Sequence, residues 1–103
     1  MDDIDSKIER RMFLGFIYIH ILHHANEHPI YGSWMMDELR THGYAMSAGT
    51  LYPLLHRMED ESLLVSEKTV VAGKQRKNYI ITSFGKKMLE KSHQKLKEIV
   101  GEI

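Results

Sequence analysis

Apolar positions along the chain follow two different periods. From about Ile4 to Asn26 they recur at helical spacing, with Ile8, Phe13, Phe16, Ile17, Ile21 and Leu22 on one stripe. Leu14, Tyr18 and Ile19 lie off that stripe, so the predicted helix should be covered on two sides. Pro29 and Gly32 then punctuate the chain. Ser33 to Thr41 predicts a second, short helix carrying Trp34, Met35, Met36 and Leu39, with Gly43 at the position of a C-cap. Ser47 is placed to cap a third helix reaching about Ser62, whose apolar face is Leu51, Leu54, Leu55 and Met58. Pro53 sits awkwardly there. It forfeits a hydrogen bond to the Gly49 carbonyl and clashes with it, at about 3 kcal/mol in an unbent helix. Either the helix bends at that turn or regular helix starts only near Pro53.

After Ser62 the pattern changes. Leu63 to Val71 and Tyr79 to Thr82 are rich in β-branched residues, and the segment Ala72-Gly73-Lys74-Gln75-Arg76-Lys77 between them is basic and contains glycine. This predicts an antiparallel hairpin with a longer loop. A last helix is expected from about Ser83 to Glu102, with Thr82 as its cap. The fold class is therefore mainly α with a small β-hairpin (α+β), in the order α-α-α-β-β-α. That is the outline of a winged helix-turn-helix with a C-terminal dimerisation helix. Residues 1–82 form the expected winged-helix DNA-binding domain, and 83–103 the dimerisation helix of the same structural unit. A chain of 103 residues suits one such domain.

Composition narrows the function classes. The formal net charge is zero, which argues against coating nucleic acid or an anionic membrane by bulk attraction but leaves room for a local basic patch. Absence of cysteine excludes disulfides, thiolate catalysis and Cys-type zinc sites, and fits a reducing compartment. The start, MDDIDSKIERR, is unlike a signal peptide, and the apolar stretch from Met12 to Leu22 is broken by His20 and too short to span a bilayer. A cytoplasmic protein with no membrane partner is expected, and no cofactor is called for. The sequence contains no G-x-S-x-G, no P-loop and no G-x-G-x-x-G.

In a helix-turn-helix the later helix enters the major groove, which directs attention to His56 and Arg57 on the third helix. The hairpin adds Lys74, Arg76 and Lys77, cations suited to phosphates or to a narrow minor groove. On their own, three such charges could equally do no more than solvate a turn.

The longer motifs shift that balance. Pro29-Ile30-Tyr31-Gly32 is followed by the run from Ser47 to Glu59 (SAGTLYPLLHRME), then by Leu63-Leu64, by GKQRKNY from Gly73 to Tyr79, and by Thr82 with Gly85. On these residues the segment 29–89 resembles the PadR family of transcriptional regulators. The resemblance implies a winged-helix homodimer that binds double-stranded DNA, usually as a repressor, with the S-x-G-T-L-Y-P segment part of the recognition helix. It therefore favours a bent helix at Pro53. It also implies that Ser47, Gly49, Thr50 and Tyr52 face the DNA. Small residues there permit close approach, while hydroxyls and free helix N–H groups suit phosphate oxygens. Tyr52 is as well suited to a core aromatic, and Glu59 to a pair within the protein. Two positions depart from the family pattern: Ser33, where an aromatic is common, and Ser62, where glycine is common. Ser62 would tolerate a positive φ poorly.

In the last helix Leu89, Leu96 and Ile103 recur every seven residues, beside Met88, Ile99 and Val100. This apolar seam predicts self-association through a two-fold axis, and so a pseudo-palindromic operator. The family's short branch also takes small aromatic or cationic ligands at the dimer interface, and Phe13, Phe16, Tyr18 and Trp34 offer aromatic surface for one.

Four histidines crowd the end of the first helix. His20/His24 and His24/His28 are spaced i,i+4, and His24 to His28 reads H-x-x-E-H. Two alternatives follow: a metal-responsive regulator using His20, His23, His24 and His28, or a small zinc peptidase. Pro29 ends the helix just where the ligands of a peptidase would have to be rigid, and the plainer reading of these histidines is a solvated helix end.

Overall fold

The computed structural model describes residues 3–103, with side chains from Ser6 onward; Met1 and Asp2, the start of the acidic segment, lie outside it. Six elements follow in order: α1 (Asp3–Glu27), α2 (Gly32–Thr41), α3 (Ala48–Asp60), β1 (Leu64–Val71), β2 (Lys74–Ile81) and α4 (Ser83–Glu102). This is the α-α-α-β-β-α winged helix expected. No helix among the described residues is long and apolar enough to cross a membrane.

The core lies where α1, α2 and α3 meet the base of the hairpin. Ile17, Ile21, Leu22 and Ala25 of α1 pack with Met35 and Leu39 of α2, Leu51, Leu54, Leu55 and Met58 of α3, and Tyr79 and Ile81 of β2. Leu14, Tyr18 and Ile19 are half-buried around this core, as their place off the main stripe required.

Helices α2 and α3 end in the same device. In a Schellman motif the residue after the C-cap is left-handed, and two amides reach back to orphaned carbonyls. After α2, Gly43 adopts φ +86°, with Gly43 N–H on Arg40 O at 3.0 Å and Tyr44 N–H on Leu39 O at 3.0 Å. After α3, Ser62 takes that place with φ +64°, and its own and the Leu63 amide reach Glu59 O at 3.0 Å and Met58 O at 2.9 Å. Leu63 and Met58 are both buried, the apolar contact that accompanies the motif. Ser62 thus holds a conformation that favours glycine.

Helix α3 starts at Ala48 and runs through Pro53, so regular helix does not wait for the proline. The Gly49 carbonyl loses its i+4 donor on the exposed side, where water can replace it.

The hairpin is longer and tighter than the sequence suggested. Strands β1 and β2 pair from Leu64↔Ile81 to Val71↔Lys74, and only Ala72 and Gly73 form the turn. Both have positive φ (+51° and +78°), as a type I′ turn requires. Lys74, Arg76 and Lys77 are therefore strand residues rather than members of a flexible loop. A backbone pair between Ile30 and Tyr79 (N···O 3.0 and 2.7 Å) ties the α1–α2 connection to β2.

Helix α4 is capped by Thr82, whose Oγ1 accepts from Gly85 N–H at 2.9 Å and donates to Ser62 O at 2.6 Å. Gly85 is pressed on the Leu63 carbonyl, where a Cβ would overlap it. A glycine is what lets α4 approach this turn.

Candidate nucleic-acid interface

Burial of Leu51, Leu54, Leu55 and Met58 fixes the rotation of α3 and turns the opposite face outward. Ser47, Gly49, Thr50, Tyr52, His56 and Arg57 are all exposed. Ser47 occupies the N-cap position with extended backbone, and its carbonyl accepts from Thr50 N–H (3.1 Å) and Leu51 N–H (2.9 Å). Its hydroxyl makes no cap bond to the backbone; instead Oγ lies 3.2 Å from Thr50 Oγ1. The first amides of α3 have no intrahelical acceptor and point outward at the positive end of the helix dipole, an arrangement suited to a phosphate oxygen.

The candidates on α3 divide between two sides. Tyr52 and His56 face the hairpin and share a cleft of about 550 Å³ with Tyr31, Ser33, Lys74, Arg76 and Lys77. Thr50 and Arg57 face α1 and line a second cleft of about 470 Å³ with Glu9, Phe13, Tyr44 and Met46. Tyr52 does double duty: its ring fills the space where Gly32 would carry a Cβ, yet the residue remains 39% exposed.

Pairing in the hairpin separates its cations. Lys74 and Arg76 lie on one face of β2 and Lys77 on the other, because successive strand residues alternate. Lys74 is exposed, and the Arg76 guanidinium lies 3.8 Å from the centre of the Tyr31 ring. Lys77 Nζ sits 3.2 Å from Glu59 Oε1 of α3. Burial by itself would lower the Lys77 pKa, but the Glu59 hydrogen bond, together with the charges of Tyr79 and Glu59, outweighs it and holds the ammonium above its usual value. Glu59 also accepts from Ser66 Oγ. That bond, against the effect of burial, and then Lys77 keep its carboxyl below the usual range. Glu59 is thus paired within the protein, as expected, and it engages one of the three hairpin cations.

The segment Pro29–Gly32 is the joint among these parts. Ile30 is fully buried and paired to β2, Tyr31 underlies Arg76, and Gly32 opens α2 against Tyr52. Sequence reasoning marked the motif without seeing Tyr31 as a support for Arg76; an aromatic just before a helix gives no signal of a stacking partner 45 residues on.

Of the seam residues on α4, Leu89 is buried in its own domain and Met88 packs against that core. Leu96 is half-buried, whereas Ile99, Val100 and Ile103 are exposed. The N-terminal half of α1 adds exposed Ile8, Met12, Phe13 and Phe16.

The histidine cluster is arranged differently from its sequence spacing. His28 leaves it: its Nδ1 donates to the Pro29 carbonyl at 2.9 Å and its ring meets the Trp34 ring edge to face at 4.9 Å. His42, at the end of α2, enters it, with its ring 4.5 Å from that of His20. The H-x-x-E-H reading fails on this geometry, since His24 and His28 do not converge.

Comparison with known proteins agrees with the fold. Residues 21–91 match the model of the transcriptional regulator PadR-like family. The chain is 45% identical over 87 residues to transcriptional regulator Rv3488 of Mycobacterium tuberculosis, covering 84% of this chain and 81% of that protein. The crystal structure of a PadR family transcriptional regulator from Eggerthella lenta superposes with a TM-score of 0.79 at 34% identity, covering 98% of this chain and 92% of that one. A PadR-like transcriptional regulator from Bacillus cereus gives a TM-score of 0.81 at 31% identity, covering 89% and 91%. With its winged-helix order and a family match over residues 21–91, the chain belongs to the PadR-like family of transcriptional regulators.

Proposed function

We propose that the protein is a cytoplasmic homodimeric repressor that places two copies of α3 in successive major grooves of a pseudo-palindromic operator. The supporting observation is the single cleft that joins Tyr52 and His56 of α3 to Lys74 and Arg76 of the hairpin, so helix and wing form one continuous surface. Ser47, Gly49 and Thr50 approach the backbone at the start of α3, with His56 and Arg57 further along it. Lys74 and Arg76 contact phosphates or enter the minor groove. Lys77, held by Glu59, braces the wing against α3.

Dimerisation uses Leu96, Ile99, Val100 and Ile103 of α4 with the exposed apolar half of α1, a surface too large to leave in water. Met88 and Leu89 support it from within the domain. An effector of aromatic character fits the cleft between α1 and α3, where Phe13 and Tyr44 supply rings, with Glu9, Arg10 and Arg57 around them. Through Thr50 and Arg57, which line the same cleft, its occupancy would shift the DNA-facing helix.

Selection of bound fragments from genomic DNA, checked by gel shift and sedimentation, tests the proposal. A protein that is monomeric at micromolar concentration and indifferent to every duplex at low salt would overturn it.

A further inference from the structure

Among the described residues, two groups of histidines and carboxylates converge closely enough to share a metal ion. One lies along the exposed edge of α1: His23, His24 and Glu27. The other joins two helices. His20 and His24 of α1 and His42 at the end of α2 bring their ligand nitrogens within 4.8 Å of one another. Glu38 of α2 adds a carboxylate that faces two of them, its Oε1 lying 3.4 Å from His24 Nε2 and 3.3 Å from His42 Nε2.

Those two separations have a specific meaning. Four nitrogen or oxygen ligands bonded at about 2.0 Å around a tetrahedral ion sit about 3.3 Å apart. Glu38 already stands at that spacing from both His24 and His42, and the ligand nitrogens of His20, His24 and His42 lie within 4.8 Å of one another. His24 is also oriented for ligation. Its Nδ1 lies 3.0 Å from Glu27 Oε1, so with Nδ1–H donating to that carboxylate the Nε2 lone pair faces Glu38 and His42. A carboxylate holding the far side of an imidazole is the usual support of a metal-bound histidine. The α1 side of the group is shielded, with the His24 side chain 13% exposed and the His20 ring against Tyr44 at 5.4 Å, whereas His42 is exposed.

We infer that His20, His24, His42 and Glu38 form a binding site for a divalent transition metal that clamps α1 to α2. Three imidazoles and one carboxylate suit zinc, cobalt or nickel rather than magnesium or calcium, which prefer oxygen. The group differs from the α1 set that the sequence suggests: His42 and Glu38 enter, and His23 and His28 are absent. By linking the long helix to the first helix of the helix-turn-helix, the ion would set the angle at which α3 is presented.

Cobalt titration of the intact, metal-stripped protein tests this. The visible absorption of tetrahedral Co²⁺ and quenching of Trp34, whose ring is 5.4 Å from that of His24, report occupancy. One equivalent per chain is expected, displaced by Zn²⁺. Because losing an outer partner of a ligand typically weakens a site 10–100-fold, His42→Ala and Glu38→Gln, which remove ligands, should each weaken binding by more than about tenfold. His23→Ala should leave affinity unchanged. Circular dichroism confirms that each variant is folded; with two independent ligand variants, loss of one to misfolding still leaves the other decisive. Absence of stoichiometric uptake, unchanged affinity in His42→Ala and Glu38→Gln, or loss with His23→Ala instead would overturn the site. None of these readouts involves DNA, so they stand apart from the operator proposal.

Discussion

The separation of the hairpin cations can be tested one residue at a time. Each phosphate neutralised by a cation contributes about −0.9 to the slope of log affinity against log salt, so a fourfold rise in salt weakens binding about 3.5-fold per contact. Lys74 is exposed, and Arg76 sits over the Tyr31 ring without an ion-pair partner among the described residues. Lys77 is engaged by Glu59 on the opposite face of the strand. Lys74→Ala and Arg76→Ala should therefore each flatten the slope by about 0.9. The double variant should flatten it by about 1.8, reducing the loss between 50 and 200 mM salt about twelvefold. Lys77→Ala should change the slope little, while destabilising the fold slightly by leaving Glu59 with Ser66 alone. Fluorescence anisotropy on a selected operator, at four or five potassium chloride concentrations, gives the slopes directly. A Lys77→Ala slope change as large as that of Arg76→Ala, or an unaltered slope in the double variant, would refute the division of labour.

Three further outcomes concern the frame that carries this surface. Ser62→Gly removes about 1–2 kcal/mol of left-handed strain and gives back about 0.4–1 through unfolded-chain entropy, so a rise of a few degrees in Tm at fixed protein concentration is expected; a fall would show that Ser62 contributes something the Schellman geometry does not reveal. Gly85→Ala should destabilise by about 2 kcal/mol despite a better helix former, because its Cβ meets the Leu63 carbonyl and disturbs the Thr82 cap; denaturant melts showing stabilisation would contradict that packing. For Glu59, whose folded pKa is depressed, the stabilising contribution is present above the unfolded glutamate value of about 4.3 and is lost as pH falls through the folded value. The stability gap between wild type and Glu59→Gln should accordingly be largest near pH 6 and shrink toward pH 3, and a gap independent of pH would exclude the ionised Glu59 as its source.

The helices were readable because each has a buried face and a punctuated end. Gly43 and Ser47 mark the turn between α2 and α3, and Leu51, Leu54, Leu55 and Met58 give the rotation of α3 without further information. Strand β2 was read only in part, from Tyr79 onward. Its first half, Lys74 to Asn78, projects beyond the core, so no burial imposes an apolar alternation and its charges resemble those of a loop. The strand persists because Ala72 and Gly73 accept the turn and cross-strand pairing does the rest. Similarly, i,i+4 spacing finds His20 with His24 but cannot find His42, which arrives through the packing of α2 on α1. Leu89 reads as part of a seven-residue seam although the curvature of the domain takes it into the core. Contacts within one element are written in its period; contacts between elements are not.

With a formal net charge of zero, the proposed DNA binding has little bulk attraction to draw on and depends on geometry held in place before contact. The short segment Pro29–Gly32 supplies much of that rigidity. Ile30 fixes the connection to β2, Tyr31 supports the guanidinium of Arg76, and Gly32 admits the ring of Tyr52 so that α2 and α3 meet closely. Glu59 and Lys77 close the circuit from α3 to the wing. Helix and wing are thereby braced from both sides, and neither can tilt without breaking a contact of the other. On the proposed reading, a few free cations suffice because their positions are fixed before contact with phosphates. A clamp between α1 and α2 would act on the same frame, because α2 packs more extensively on α3 than on α1 and the proposed ion would tie it to α1 as well.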